Sequence, residues 1–138
     1  MNLRVCIFAL ALCNQSFLLS EAVYLTSPEK YETLFGSEKP MITIYTRLSN
    51  PPCPPCRKIK PYFLEAALSH PTISFCVVET TVSSMNEVMK KLTIMKIPTL
   101  IFSHKGQIIS RHSGMLTKSE LEQKIAGFKA AVQALHNK

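Results

Sequence analysis

The chain predicts an α/β domain in which a central sheet carries helices on both faces. Three observations lead there. Short runs rich in β-branched and aromatic residues alternate with stretches of helical apolar spacing, in the order β-α-β-α-β-β-α after a first helix. Helices on both sides of one sheet are the economical way to bury that succession of apolar faces. Lys105-Gly106 forms a turn between the last two strand patterns, which makes them an antiparallel pair. With 138 residues, 46% of them hydrophobic, and no repeat at a fixed period, one domain with a real core is expected.

The elements follow in order. Ser27-Pro28-Glu29 gives a cap and a first-turn proline, and Tyr31, Leu34 and Phe35 continue an amphipathic helix that ends at Gly36. Met41 to Thr46 reads as a buried strand, and Leu48 to Pro55 is dominated by loop formers. From Cys56, the spacing of Ile59, Tyr62, Phe63, Ala66 and Ala67 predicts a helix that stops at His70-Pro71. Thr72 to Val78 is a second buried strand. Ser83 to Leu92 is a helix with Met85, Val88, Met89 and Leu92 inward. Thr99 to Phe102 and Gln107 to Arg111 are the two strands of the hairpin. Thr117, with Glu120 three residues on, makes a capping box for a last helix whose inner stripe is Leu121, Ile125, Phe128, Val132 and Leu135.

Residues 1–22 differ in character. A cation at Arg4, the apolar run Val5 to Leu12, a polar break at Asn14-Gln15-Ser16 and the small residues Ser20 and Ala22 read as a secretory signal peptide, cleaved before Val23. The domain is then residues 23–138, exported to a bacterial periplasm. An uncleaved anchor would want about 20 uninterrupted apolar residues. Lipidation at Cys13 is the other alternative, and Leu12 stands where a small residue would be required. Removing residues 1–22 takes away Arg4 and Glu21 and leaves the net charge at +7. The cations are spread along the chain rather than clustered with aromatics, so a preference for acidic partners is expected and nucleic-acid binding is not.

Cys53-Pro54-Pro55-Cys56 sits at a strand-to-helix junction. A helix N-terminus stabilises a thiolate through unpaired N–H groups and the helix dipole, so Cys53 is the expected nucleophile, exposed at the helix start. Cys56, one turn into the helix, is the expected buried partner that resolves the mixed disulfide. A metal site would need further soft ligands, and only Cys76 and four scattered histidines remain. Cys76, within Ile73-Ser74-Phe75-Cys76-Val77-Val78, reads as a small apolar residue of a buried strand.

With these residues in hand, the chain from Tyr24 to Leu135 resembles the thioredoxin family. Cys53-Pro54-Pro55-Cys56 matches its Cys-x-x-Cys, Pro61 its helix-kinking proline, and Ile97-Pro98-Thr99-Leu100 the segment with its cis-proline. Gly106 and Gly114 fall where the family has its hairpin and final-strand glycines. The resemblance implies the thioredoxin fold, a central mixed sheet with helices on both faces. It also implies a cis bond at Pro98, and extended substrate bound along Ile97 by strand addition.

This chain departs from the family in two places: it has no Asp and no Trp. The acid often buried beneath the cysteines and the tryptophan before the first one are therefore missing, and water becomes the expected proton acceptor for Cys56. The expected function is reduction of protein disulfides by a monomer fed through a membrane electron donor, with no flavin, haem or metal. An oxidase or isomerase on the same fold, and a non-catalytic binding or chaperone module, are the alternatives.

Overall fold

The computed structural model describes residues 20–138. Of the expected leader, residues 1–19, with Cys13 among them, lie outside that range. The elements are β1 (Val23–Tyr24), α1 (Pro28–Phe35), β2 (Met41–Thr46), α2 (Pro54–Ser69), β3 (Ser74–Glu79), a 3-10 turn (Ser83–Met85), α3 (Asn86–Lys91), β4 (Thr99–His104), β5 (Gln107–Ser113) and α4 (Lys118–His136). They form a thioredoxin fold. The five strands lie in the order β1-β3-β2-β4-β5, with β3 parallel to both β1 and β2, and β4 antiparallel to both β2 and β5.

Side chains alternate across a strand, so the buried residues of the sheet divide between two cores. Ile42, Ile44, Phe75, Val77, Leu100 and Phe102 pack against Ile59 and Phe63 of α2 and against Leu121, Ile125 and Phe128 of α4. On the opposite face Tyr45, Cys76, Val78 and Ile101 meet Tyr31 of α1 and Val88 of α3. β2 is buried along its whole length because both its faces are covered. The hairpin turn has Lys105 at φ 50° and Gly106 at φ 74°, the two successive positive values that a two-residue type I′ turn requires.

α2 does begin within the motif, at Pro54 with Cys56 in its first turn, since proline suits a first helical turn where no N–H is needed. The structure departs from expectation at other boundaries. The helix expected over Ser83 to Leu92 opens as a 3-10 turn, with the Ser84 hydroxyl donating to the Thr26 carbonyl at 2.6 Å instead of capping. Leu135, expected on the inner stripe of α4, is 50% exposed; in the last turn it is His136 whose ring lies against the sheet, 5.3 Å from that of His104 at the end of β4. β1 was not legible at all: two residues are too short for a period. Among the described residues no helix is long and apolar enough to cross a membrane.

Candidate active site

The C-terminal end of β2 leads into the cysteine motif through residues 47–53, and three contacts hold that connection. Arg47 Nε donates to the Pro51 carbonyl at 2.9 Å, the Leu48 N–H donates to Glu79 Oε1 at 2.9 Å, and the Ser49 and Thr81 hydroxyls lie 3.5 Å apart. Glu79 reaches the loop because the parallel register sets it beside Thr46, at the last rung of β2 and β3. Neither Arg47 nor Glu79 stands out in the sequence. Glu79 lies 31 positions from Leu48, and only strand pairing brings them together.

Cys53 is the N-cap of α2. Its Sγ is bonded to that of Cys56, the Cα atoms are 5.3 Å apart, and the Cys56 N–H lies 3.4 Å from Cys53 Sγ. A cap accepts from one of the orphan donors of the first turn, so the sulfur occupies the place where helix N–H groups converge. Pro54 and Pro55 have no N–H to add. In this disulfide state Cys53 is 6% exposed and Cys56 0%, so the expected contrast between an open and a buried sulfur is narrow. No acidic residue occupies the first turn, whereas Arg57 and Lys58 are exposed there. Pro61, also exposed, sits inside α2.

The Ile97–Pro98 and Asn50–Pro51 peptides are both cis. β4 pairs with β2 so that Thr99 lies beside Tyr45, which brings Pro98 to the same end of the sheet as the cysteine loop. That loop is fixed: Thr99 Oγ1 donates to the Lys96 carbonyl at 2.6 Å, and the Gly114 N–H donates to the Pro98 carbonyl at 2.8 Å. Gly114 does so at φ 106°, a conformation that favours glycine. The backbone groups of Ile97 make no hydrogen bond among the described residues.

Beneath the motif the last residue of β2 is Thr46, fully buried, with its hydroxyl unpartnered. Cys76 is free and fully buried on the other core, and burial pushes its thiol up to about 12. Among the described residues no group of three or more His, Cys, Asp or Glu side chains is placed to hold a metal.

The class of protein this defines is an α/β domain with a redox-active cysteine pair at a helix start. A sequence profile of the thioredoxin family matches residues 22–127, and the chain belongs to that family. Its members are thiol-disulfide oxidoreductases, and the Cys53–Cys56 pair fits that chemistry. The chain is 26% identical over 112 residues to thioredoxin C-3 of Corynebacterium nephridii, covering 80% of this chain and 73% of the relative. It is 34% identical over 73 residues to thioredoxin-1 of Caenorhabditis elegans, covering 53% and 61% respectively. The crystal structure of thioredoxin from Trypanosoma brucei brucei superposes with a TM-score of 0.71 at 21% identity, covering 81% of this chain and 94% of that one.

Proposed function

We propose that this chain is an exported disulfide reductase, acting on protein disulfides through Cys53 and Cys56. The observation that carries the reading is Cys53 as the cap of α2, its Sγ facing the Cys56 N–H and its partner buried one turn on. In the dithiol form the Cys53 thiolate attacks one sulfur of a substrate disulfide, forming a mixed disulfide and releasing the other sulfur as a thiolate. Cys56 gives its proton to water and attacks Cys53 Sγ, which frees the second substrate thiolate. Two electrons pass to the substrate, whose sulfurs take up protons and leave as thiols. The domain is left as the Cys53–Cys56 disulfide, and a dithiol on a membrane donor restores it by the same exchange. Extended substrate lies along Ile97, whose backbone groups are free to pair with it.

Direction follows from how well the thiolate is held. A strong oxidant stabilises its reduced form with many donors to that anion. Here Pro54 and Pro55 withhold two of the first-turn N–H groups and the Cys56 N–H remains, together with the helix dipole and the cations Arg57 and Lys58. The thiolate is favoured only moderately. Export rests on the apolar run and small residues of positions 1–22.

A redox titration of the Cys53–Cys56 couple against glutathione tests this. The expected potential is nearer about −270 mV, a reducing thioredoxin's value, than about −120 mV, a strong oxidant's. A value above about −180 mV, that of an isomerase, would overturn the direction while leaving the cysteine chemistry in place.

A further inference from the structure

Next to the loop that carries Pro98, the end of α3 and residues 93–97 wall a groove of about 610 Å³, closed on its other side by Arg47 and Thr80. It runs from α3 up to Ile97, so it continues the line along which an extended substrate would lie. The lining has two characters. Met89, Ile94 and Met95 make it apolar, and Met95, 83% exposed, is the most exposed large hydrophobic side chain among the described residues. Arg47, Lys90 and Lys96 make it basic, and no carboxylate lines it. None of these three cations forms an ion pair among the described residues. The neighbouring acids are turned to other uses or other positions: Glu79 accepts the Leu48 N–H, and Glu87 stands in the first turn of α3.

Uncompensated cations around a concave surface raise the local potential and draw in anionic partners. Flexible methionines adapt to varied apolar side chains. Resting on the oxidoreductase reading above, we propose that this groove selects the substrate: an acidic polypeptide segment with an apolar side chain close to its disulfide. The acidic residues lie against Lys90, Lys96 and Arg47, the apolar side chain packs on Met95, and the reacting sulfur reaches Cys53. Electrons move as in the exchange already described, from the reduced cysteine pair to the peptide disulfide, and no further co-reactant enters.

The test is single-turnover reduction by the pre-reduced protein of two peptides, each closed by one disulfide. They are identical except that three flanking residues are glutamate in one and lysine in the other. At low ionic strength the acidic peptide should react about tenfold faster, and 0.5 M salt should narrow the gap to about twofold. Lys90→Glu combined with Lys96→Glu should abolish or invert the preference. Lys124→Glu combined with Lys138→Glu, the same change of net charge placed on and after α4, should retain it. Equal rates for the two peptides, a preference that survives the groove substitutions, or its equal loss in the control pair would overturn the assignment. Bis(2-hydroxyethyl) disulfide, small and neutral, separates the two layers of the argument. If the reduced protein fails to react with it, the oxidoreductase reading itself falls.

Discussion

Cys76 and Cys53 carry the same thiol in opposite surroundings. Cys53 caps a helix and faces its N–H groups, whereas Cys76 is enclosed by apolar side chains of β3, α1 and α3. Burial raises the Cys76 thiol from near 9 to about 12, which favours the protonated form. This has a consequence for alkaline stability. The unfolded chain loses that proton first, so the contribution of the buried neutral thiol is complete below pH 9 and declines as pH rises from there toward 12. Tyr31, likewise raised by burial from 10 to about 12, and Tyr45, raised further by burial, lose their protons in the unfolded chain around pH 10 and add to the decline as pH approaches that value. With Cys53 and Cys56 oxidised, the urea midpoint should therefore fall between pH 9 and 10. Cys76→Ala should be less stable at the outset, by about 1 kcal/mol, and its midpoint should fall less steeply across that window, since only the tyrosine share of the decline remains. A parent protein whose midpoint does not move there would contradict the assigned environment.

α4 shows how an element can be secured locally and still depend on the sheet. The Thr117 hydroxyl accepts the Glu120 N–H at 3.2 Å, and Glu120 Oε2 accepts the Thr117 N–H at 2.8 Å. The Thr117 backbone bond, and then its side-chain bond, hold the Glu120 carboxyl below its ordinary range. Removing the cap by Thr117→Ala should lower stability by about 1 kcal/mol, read from thermal unfolding. Reduction of a small disulfide should keep its rate, because α4 meets α2 toward its later turns, at Glu65 and His70, rather than at the cysteines. A loss of rate without loss of stability would contradict this and tie the start of α4 to the cysteine pair through α2.

At the scale of the molecule, the chemistry sits where the C-terminal ends of β2 and β3 meet the start of β4. That is the end of an α/β sheet at which loops converge. The two cores on either side of the sheet hold that end in place. The N-terminal edge belongs to the same construction: Val23 and Tyr24 pair with Cys76 and Val77, and Leu25 is 1% exposed, with its N–H on the Val77 carbonyl at 2.9 Å. A chain beginning at Val23 gives up only the packing of Ala22 and should thus unfold close to the denaturant concentration of one that begins at Ser20. A chain beginning at Ser27 should lose at least about 2 kcal/mol, the cost of deleting a buried leucine. Equal stability of all three would mean that β1 contributes nothing to the sheet.

Local signals were the ones that could be read directly. The Met41 to Thr46 strand, the Ser27 cap, the Thr117–Glu120 box, the Lys105-Gly106 turn and the two-residue spacing of Cys53 and Cys56 each depend on neighbours within a turn or two, where residue type and backbone geometry are coupled directly. The family resemblance added the placement of Pro98, and the sheet explains that placement. Residues far apart in the chain were decided by tertiary structure alone. The two-residue β1 exists because Cys76 and Val77 offer it a parallel edge. Glu79 anchors the cysteine loop because strand register carries it to Leu48. Leu135 is exposed because in the last turn of α4 it is His136 that meets the sheet, beside His104 of β4. Arg47, Lys90 and Lys96 share a groove only once α3 has packed beside the loop to Pro98. The physical reason is common to all four: pairing register and the reach of a packed face arise between elements, and no window of the sequence contains both partners.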